Sequence, residues 1–144
     1  MSAPAGTITI RVRYHECDPM GVAHHAVYPV WLEMGRTELL RQMFERQSNA
    51  GEKAGLTYRH LEEQGIFLAV VSLGIKYKRP ARYDDLLEIR TRVSLHSGAR
   101  VSFEYEVHTA GHASALATGF TAHAAIDRRG KPRRLPAELR RLLS

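Results

Sequence analysis

A single cysteine, Cys17, stands in a chain of 144 residues. It excludes an internal disulfide and a cysteine-rich zinc site. No run of eighteen apolar residues occurs, so no transmembrane helix is expected. The stretch from Met1 to Thr7 has no basic segment leading into an apolar run, which argues against a secretory signal and for a cytoplasmic location. There are no internal repeats and no low-complexity segment apart from a basic tail. The composition, 44% hydrophobic and 25% charged, is that of one globular domain spanning 1–144.

Charge of one sign is in excess. The net value of +6 points first to nucleic acid. Its distribution weakens that reading. From Arg128 to Ser144 there are seven basic residues and one acid, and residues 1–127 are formally neutral. The tail has no aromatic side chain to stack on a base. Its Leu135, Leu139, Leu142 and Leu143 suit a short amphipathic helix that docks on the body or on a neighbour. Neither nucleic acid nor a membrane is the expected partner.

Hydrophobic periodicity supplies the elements. Ile8, Ile10 and Val12 alternate with Thr9, Arg11 and Arg13, the mark of a strand with one buried face. A Pro/Gly loop, Tyr14 to Gly21, follows. A long helix is expected from Ala26 to Glu45, with Pro29 in its first turn. Its face of Tyr28, Trp31, Leu32, Gly35, Leu39 and Met43, widened by Val27, Val30, Met34 and Leu40, predicts a helix wrapped on most sides. A loop over 48–55 precedes a short helix from Thr57, its N-cap, to Gln64, stopped by Gly65. Four strands then follow in 66–77, 87–95, 101–107 and 116–126, the last read from Leu116, Thr118, Phe120, Ala122, Ala124 and Ile126. Short turns between them predict an antiparallel meander. Helix and sheet are segregated, so the class is α+β. One sheet curled around one helix leaves a face to cover, and self-association is expected.

The chemistry concentrates in Tyr14 to Arg36. Asp18 lies in a loop that feeds a helix whose first N–H groups have no intrahelical acceptor. A carbonyl oxygen at such a terminus is polarised, and a carboxylate beside it can attack the carbon or activate water. Taken by itself the pattern reads first as a turn, since Asp before Pro commonly closes one. His15, His24 and His25 lack the spacing of a metal site, and none is expected. Cys17, flanked by acids, reads as a packing residue and not as a nucleophile.

Tyr14, Glu16, Cys17, Asp18, Gly21, Val22, His24, His25 and Tyr28, then Glu33 and Arg36, resemble the signature of acyl-CoA thioesterases of the 4-hydroxybenzoyl-CoA thioesterase type, which have the hotdog fold. Pro80-Ala81-Arg82-Tyr83-Asp84-Asp85 and the ending Lys131-Pro132, Leu135-Pro136 are similar to that family's later motifs. The resemblance runs over nearly the whole chain and implies a long central helix wrapped by an antiparallel sheet of about five strands.

It also implies roles. Asp18 takes the position of the catalytic carboxylate, as nucleophile or general base. The His25 N–H would polarise the thioester carbonyl, with the His25 side chain and Tyr14 supporting the geometry. Gly21, Val22, His24 and Tyr28 would line the substrate. His24 departs from the family's usual aromatic, and Ala23 from a second Val. Lys76, Lys78, Arg79 and Arg82, with Arg100 and the tail as further sources, are candidates for the CoA phosphates. No cofactor is implied beyond the CoA of the substrate. The expected assembly is a homodimer or homotetramer with interfacial sites. The alternative is a hotdog module that binds acyl-CoA without cleaving it.

Overall fold

The computed structural model describes residues 3–47 and 58–144. The expected loop over 48–55 and the Thr57 N-cap lie outside the described residues. Strand β1 spans Ala5–Arg11, with Ile8 and Ile10 turned inward between exposed Thr7 and Thr9. Two 3-10 turns follow, Tyr14–Glu16 and His25–Val27. The second runs straight into helix α1, Tyr28–Gln47. The helix thus begins later than Ala26 as an α-helix, because its entry is wound as a tighter 3-10 turn. Helix α2, Tyr58–Glu63, ends in a Schellman motif: Ile66 N–H donates to Leu61 O, Gly65 N–H to Glu62 O, and Gly65 has φ of 79°.

Strands β2 (Phe67–Tyr77), β3 (Leu86–His96), β4 (Arg100–Thr109) and β5 (Ala115–Ile126) complete one antiparallel sheet in the order β1-β3-β4-β5-β2. This corrects the expected meander. β3, β4 and β5 do follow one another, but β2 pairs with β5 at the far edge. The cause is the connection 78–85, which is not a tight hairpin turn. It pairs instead with the chain after β1: Val12 N–H donates to Asp85 O, Asp84 N–H to Val12 O, and Val22 bridges Arg82. The chain is therefore delivered beside β1.

The long helix lies on the inner face of the sheet. Tyr28, Trp31, Leu32, Leu39, Leu40, Met43 and Phe44 are buried against Leu87, Ile89 and Val93 of β3 and Phe103, Tyr105 and Val107 of β4. Its opposite side is bare. Val30 is 48% and Met34 41% exposed, so one subunit covers less of the helix than its apolar pattern predicts. A second correction concerns β5. Its inward row is Ala117, Gly119, Thr121, His123 and Ala125, while Phe120 is 44% exposed. Space decides this, because a Cβ on Gly119 would sit 2.9 Å from Gly74 O and 3.4 Å from Leu32. The tail folds onto its own body through α3, Ala137–Leu143, with Leu135, Leu139 and Leu143 buried.

A row of polar side chains crosses this core. Arg36 of α1 is 7% exposed and donates through Nε to Tyr58 Oη at 3.2 Å. Its positive charge also faces Tyr105. Tyr105 Oη lies 2.6 Å from Thr121 Oγ1, and that oxygen 2.8 Å from His123 Nε2. One direction satisfies the row: with the Arg36 cation beside it Tyr105 donates to Thr121, and Thr121 donates to a neutral imidazole. His123 Nδ1 turns to the Leu68 backbone without a bond of good geometry. Burial, with the charge of Arg36 adding to it, lowers His123 from the usual 6.5 to about 4.

Two outcomes follow from this packing. The unfolded chain binds the His123 proton first as pH falls. Stability is therefore complete above the unfolded value and declines toward the folded one, by about 3 kcal/mol in all. Urea midpoints measured from pH 7.5 down to about 4.5 track this loss, and His123→Gln flattens that part of the profile. Gly35 of α1 faces β3 so closely that a Cβ would lie 2.5 Å from Thr91 Oγ1 and 3.1 Å from Ile89. Gly35→Ala is expected to lower stability by about 1–3 kcal/mol in denaturant titration, overriding a helix-propensity gain of about 1 kcal/mol.

Candidate active site

The loop between β1 and α1 is built on a buried carboxylate. Glu16 is 4% exposed. It accepts the Arg13 N–H at 2.7 Å, the Arg13 guanidinium at 3.3 Å and the Trp31 indole N–H at 3.0 Å. Burial alone would raise its pKa, but these hydrogen bonds outweigh it and hold the carboxyl below its ordinary value. Glu16 thereby ties the loop to the first turns of α1.

From that anchor the chain folds back as a short ladder. His24 N–H donates to Glu16 O at 2.8 Å, Cys17 bridges Ala23, and Asp18 N–H donates to Val22 O at 2.9 Å. Gly21, at φ of 79°, closes the turn. Asp18 stands at its start. Its Oδ1 accepts the N–H of Met20 at 2.8 Å and of Val22 at 3.4 Å. Oδ2 has no hydrogen-bond partner among the described residues. Asp18 is thus the turn residue of the plain reading, and it still keeps one oxygen available. Cys17 Sγ faces Arg13 O at 3.7 Å. Burial first, then the charges of Glu16, Asp18 and Asp85, push its thiol up, which disfavours the thiolate.

At the other end of the ladder, the His24 imidazole caps the 3-10 turn, its Nδ1 accepting the Ala26 N–H at 3.0 Å. His25 stacks on His24, ring centroids 4.4 Å apart at 28°. The His25 N–H has no acceptor among the described residues. Its carbonyl accepts from Tyr77 Oη at 2.9 Å. Tyr77 meets Tyr28 edge-on at 4.9 Å, and Tyr28 packs on Trp31 at 4.7 Å. Tyr14 is 80% exposed and touches the Tyr83 ring edge at 5.6 Å, so it sits at the rim.

The candidate cations divide. Arg82 pairs with Val22, and Lys78 and Arg79 bond through their N–H groups to Leu116 O beside it, all exposed at this end of the sheet. Lys76 is set apart. It lies opposite Thr118 on the outer face of the sheet, in a hollow of about 990 Å³ also lined by Arg90, Arg92 and Glu106. The tail is set apart too. Arg128 lies over the Phe67 ring and Leu135 N–H donates to Gly98 O, at the end of β2 remote from Tyr77. Eleven residues of strand separate those ends by about 33 Å. Arg100 shares that remote end.

Two residues escaped the sequence reading of roles. Glu16 appears there only as an acidic position, although its i,i+3 relation to Arg13 is a capping pattern. Tyr77 appears only as the end of a strand. Among the described residues no cluster of three or more His, Cys, Asp or Glu side chains converges on a metal position, and no helix is long and apolar enough to cross a membrane.

Comparison with known proteins agrees with this architecture. Residues 12–143 match the thioesterase-like superfamily. The chain is 32% identical to the Bacillus subtilis protein YneP over 120 residues, 83% of this chain and 78% of that one. It is 38% identical to the acyl-CoA thioesterase YbgC of Haemophilus influenzae over 95 residues, 66% of this chain and 62% of that one. The crystal structure of a hypothetical protein from Thermus thermophilus superposes with a TM-score of 0.82 at 36% identity, covering 96% of this chain and 95% of that one. The chain therefore belongs to the thioesterase-like superfamily and is a hotdog-fold thioester hydrolase.

Proposed function

We propose that the protein hydrolyses an acyl- or aryl-CoA thioester to the free acid and CoA, with Asp18 as the reacting carboxylate and the His25 N–H as the carbonyl donor. One observation carries this reading. A single short ladder holds a carboxylate with an unengaged oxygen near one end and a backbone N–H without an acceptor just past the other. The thioester oxygen accepts from the His25 N–H, and the positive end of the α1 dipole adds to its polarisation. Asp18 Oδ2 then acts in one of two ways. As nucleophile it bonds the carbonyl carbon, the C–S bond breaks to release CoA thiolate, and water cleaves the resulting anhydride. As general base it takes a proton from the attacking water, and the same C–S bond breaks as the oxyanion collapses. In both cases one water is consumed and the thiolate leaves with a proton. The His25 imidazole and Tyr14 border the reacting group, and Gly21, Val22, His24 and Tyr28 line the acyl end. The reaction draws on no metal and no resident cofactor.

CoA carries its negative charge away from the thioester. Of the candidate cations, Lys78, Arg79 and Arg82 stand at the same end of the sheet. β2 is an open edge strand with Val70, Val71 and Leu73 exposed, and a second copy paired to it antiparallel would cover them. A two-fold through the middle of β2 sets Phe67 of one copy beside Tyr77 of the other. The basic tail of the second copy then reaches the CoA end of this site.

The test is a hydrolysis panel of acetyl-, hexanoyl-, benzoyl- and palmitoyl-CoA read by free thiol. Asp18→Asn should lower kcat by about 10²–10⁴-fold with an unchanged circular dichroism spectrum. Full activity in Asp18→Asn refutes the mechanism. Tight binding with intact thioester recovered from the parent protein favours the binding module instead.

A further inference from the structure

The three peptide units around His25 account for their polar groups almost completely. His24 N–H goes to Glu16 O. His24 O accepts the Val27 N–H at 3.0 Å. The next peptide, joining His25 and Ala26, is gripped at both ends: its N–H by His24 Nδ1 at 3.0 Å, its carbonyl by Tyr77 Oη at 2.9 Å. A peptide unit is planar and rigid, so holding both ends fixes its plane. The His25 N–H is the donor left over, and its direction is set from both sides.

We propose that Tyr77 and His24 are positioning residues, a clamp on the His25–Ala26 peptide that aims the His25 N–H at the thioester carbonyl. This rests on the reading of that N–H as the carbonyl donor. The two grips come from separate elements. Tyr77 ends β2, and its ring is backed by Tyr28 and through it by Trp31. Trp31 in turn holds Glu16, the anchor of the Asp18 ladder. The clamp and the carboxylate thus share one frame. A backbone N–H can only donate, so the His24 Nδ1 is an acceptor and its ring proton sits on Nε2. Burial pushes the Tyr77 hydroxyl up, which keeps it protonated and donating. By taking the Ala26 N–H, His24 also removes a second donor that would compete for the carbonyl oxygen.

Tyr77→Phe deletes one grip and keeps the ring. His24→Phe deletes the other and keeps a ring to stack on His25, while His24→Asn restores an acceptor oxygen at the cap. With the panel thioester that the parent cleaves fastest, each Phe variant should lose about 10-fold in kcat, the scale on which misplaced groups slow a reaction, and Tyr77→Phe should do so at unchanged KM. His24→Asn should recover most of that loss. In an Asp18→Asn background, the infrared carbonyl band of bound [13C]benzoyl-CoA should move toward its free position when Tyr77→Phe is added. Undiminished kcat in both Phe variants, a change in KM alone, or an unmoved band overturns the clamp. A parent that cleaves none of the four thioesters overturns the proposed function itself, and the clamp's catalytic role with it.

Discussion

The geometry of this protein turns on the burial of one carboxylate. Glu16 is removed from water and repaid by three N–H donors, from the Arg13 backbone, its guanidinium and the Trp31 indole. Such a group is costly to leave unpaired, so the loop and the helix cannot separate without exposing or orphaning it. Its backbone carbonyl at the same time receives the His24 N–H. A single residue therefore sets where the Asp18 turn begins and where the entry to α1 returns. The Asp18 carboxylate and the unclaimed His25 N–H inherit their relation from it.

The sheet contributes what the loop cannot. β2 crosses to the far edge beside β5, and its last residue, Tyr77, reaches the His25 carbonyl. The connection that follows turns back to pair with Val12 and Val22. Three segments far apart in the chain thus meet at one end of the sheet. The other end holds the docked basic tail.

Much of the fold was legible because period-two and helical patterns report directly on burial. β1, β4 and β3 as far as Val93 follow their alternation, a bulge after Val93 leaving Leu95 61% exposed, and the Tyr28–Met43 face of α1 is buried as expected. The errors share a cause. In β5 Phe120 faces outward while Leu116 is buried, and on the inner row Gly119 lies so close to Gly74 O and Leu32 that a Cβ would crowd them. Hydrophobicity predicts which side is apolar, not which side has room. Likewise Val30 and Met34 are apolar but uncovered by this chain, since periodicity reports an apolar face and not what covers it. In the site, Asp18, Gly21 and His25 were singled out through the resemblance their motif carries. Tyr77 was not, because nothing local distinguishes a strand-end tyrosine that meets a backbone carbonyl fifty-two residues earlier.

By itself, then, the sequence determined the α+β class and the neutral body with its basic tail, and through a family resemblance it marked Tyr14–Arg36 as the candidate site. These follow from local pattern and from residue types. Tertiary structure alone decided the strand order, the inward row of β5, the buried Arg36–His123 polar row, and the two grips on the His25–Ala26 peptide. Each of these depends on distance between segments remote in sequence, and on whether a polar atom removed from water finds a partner there.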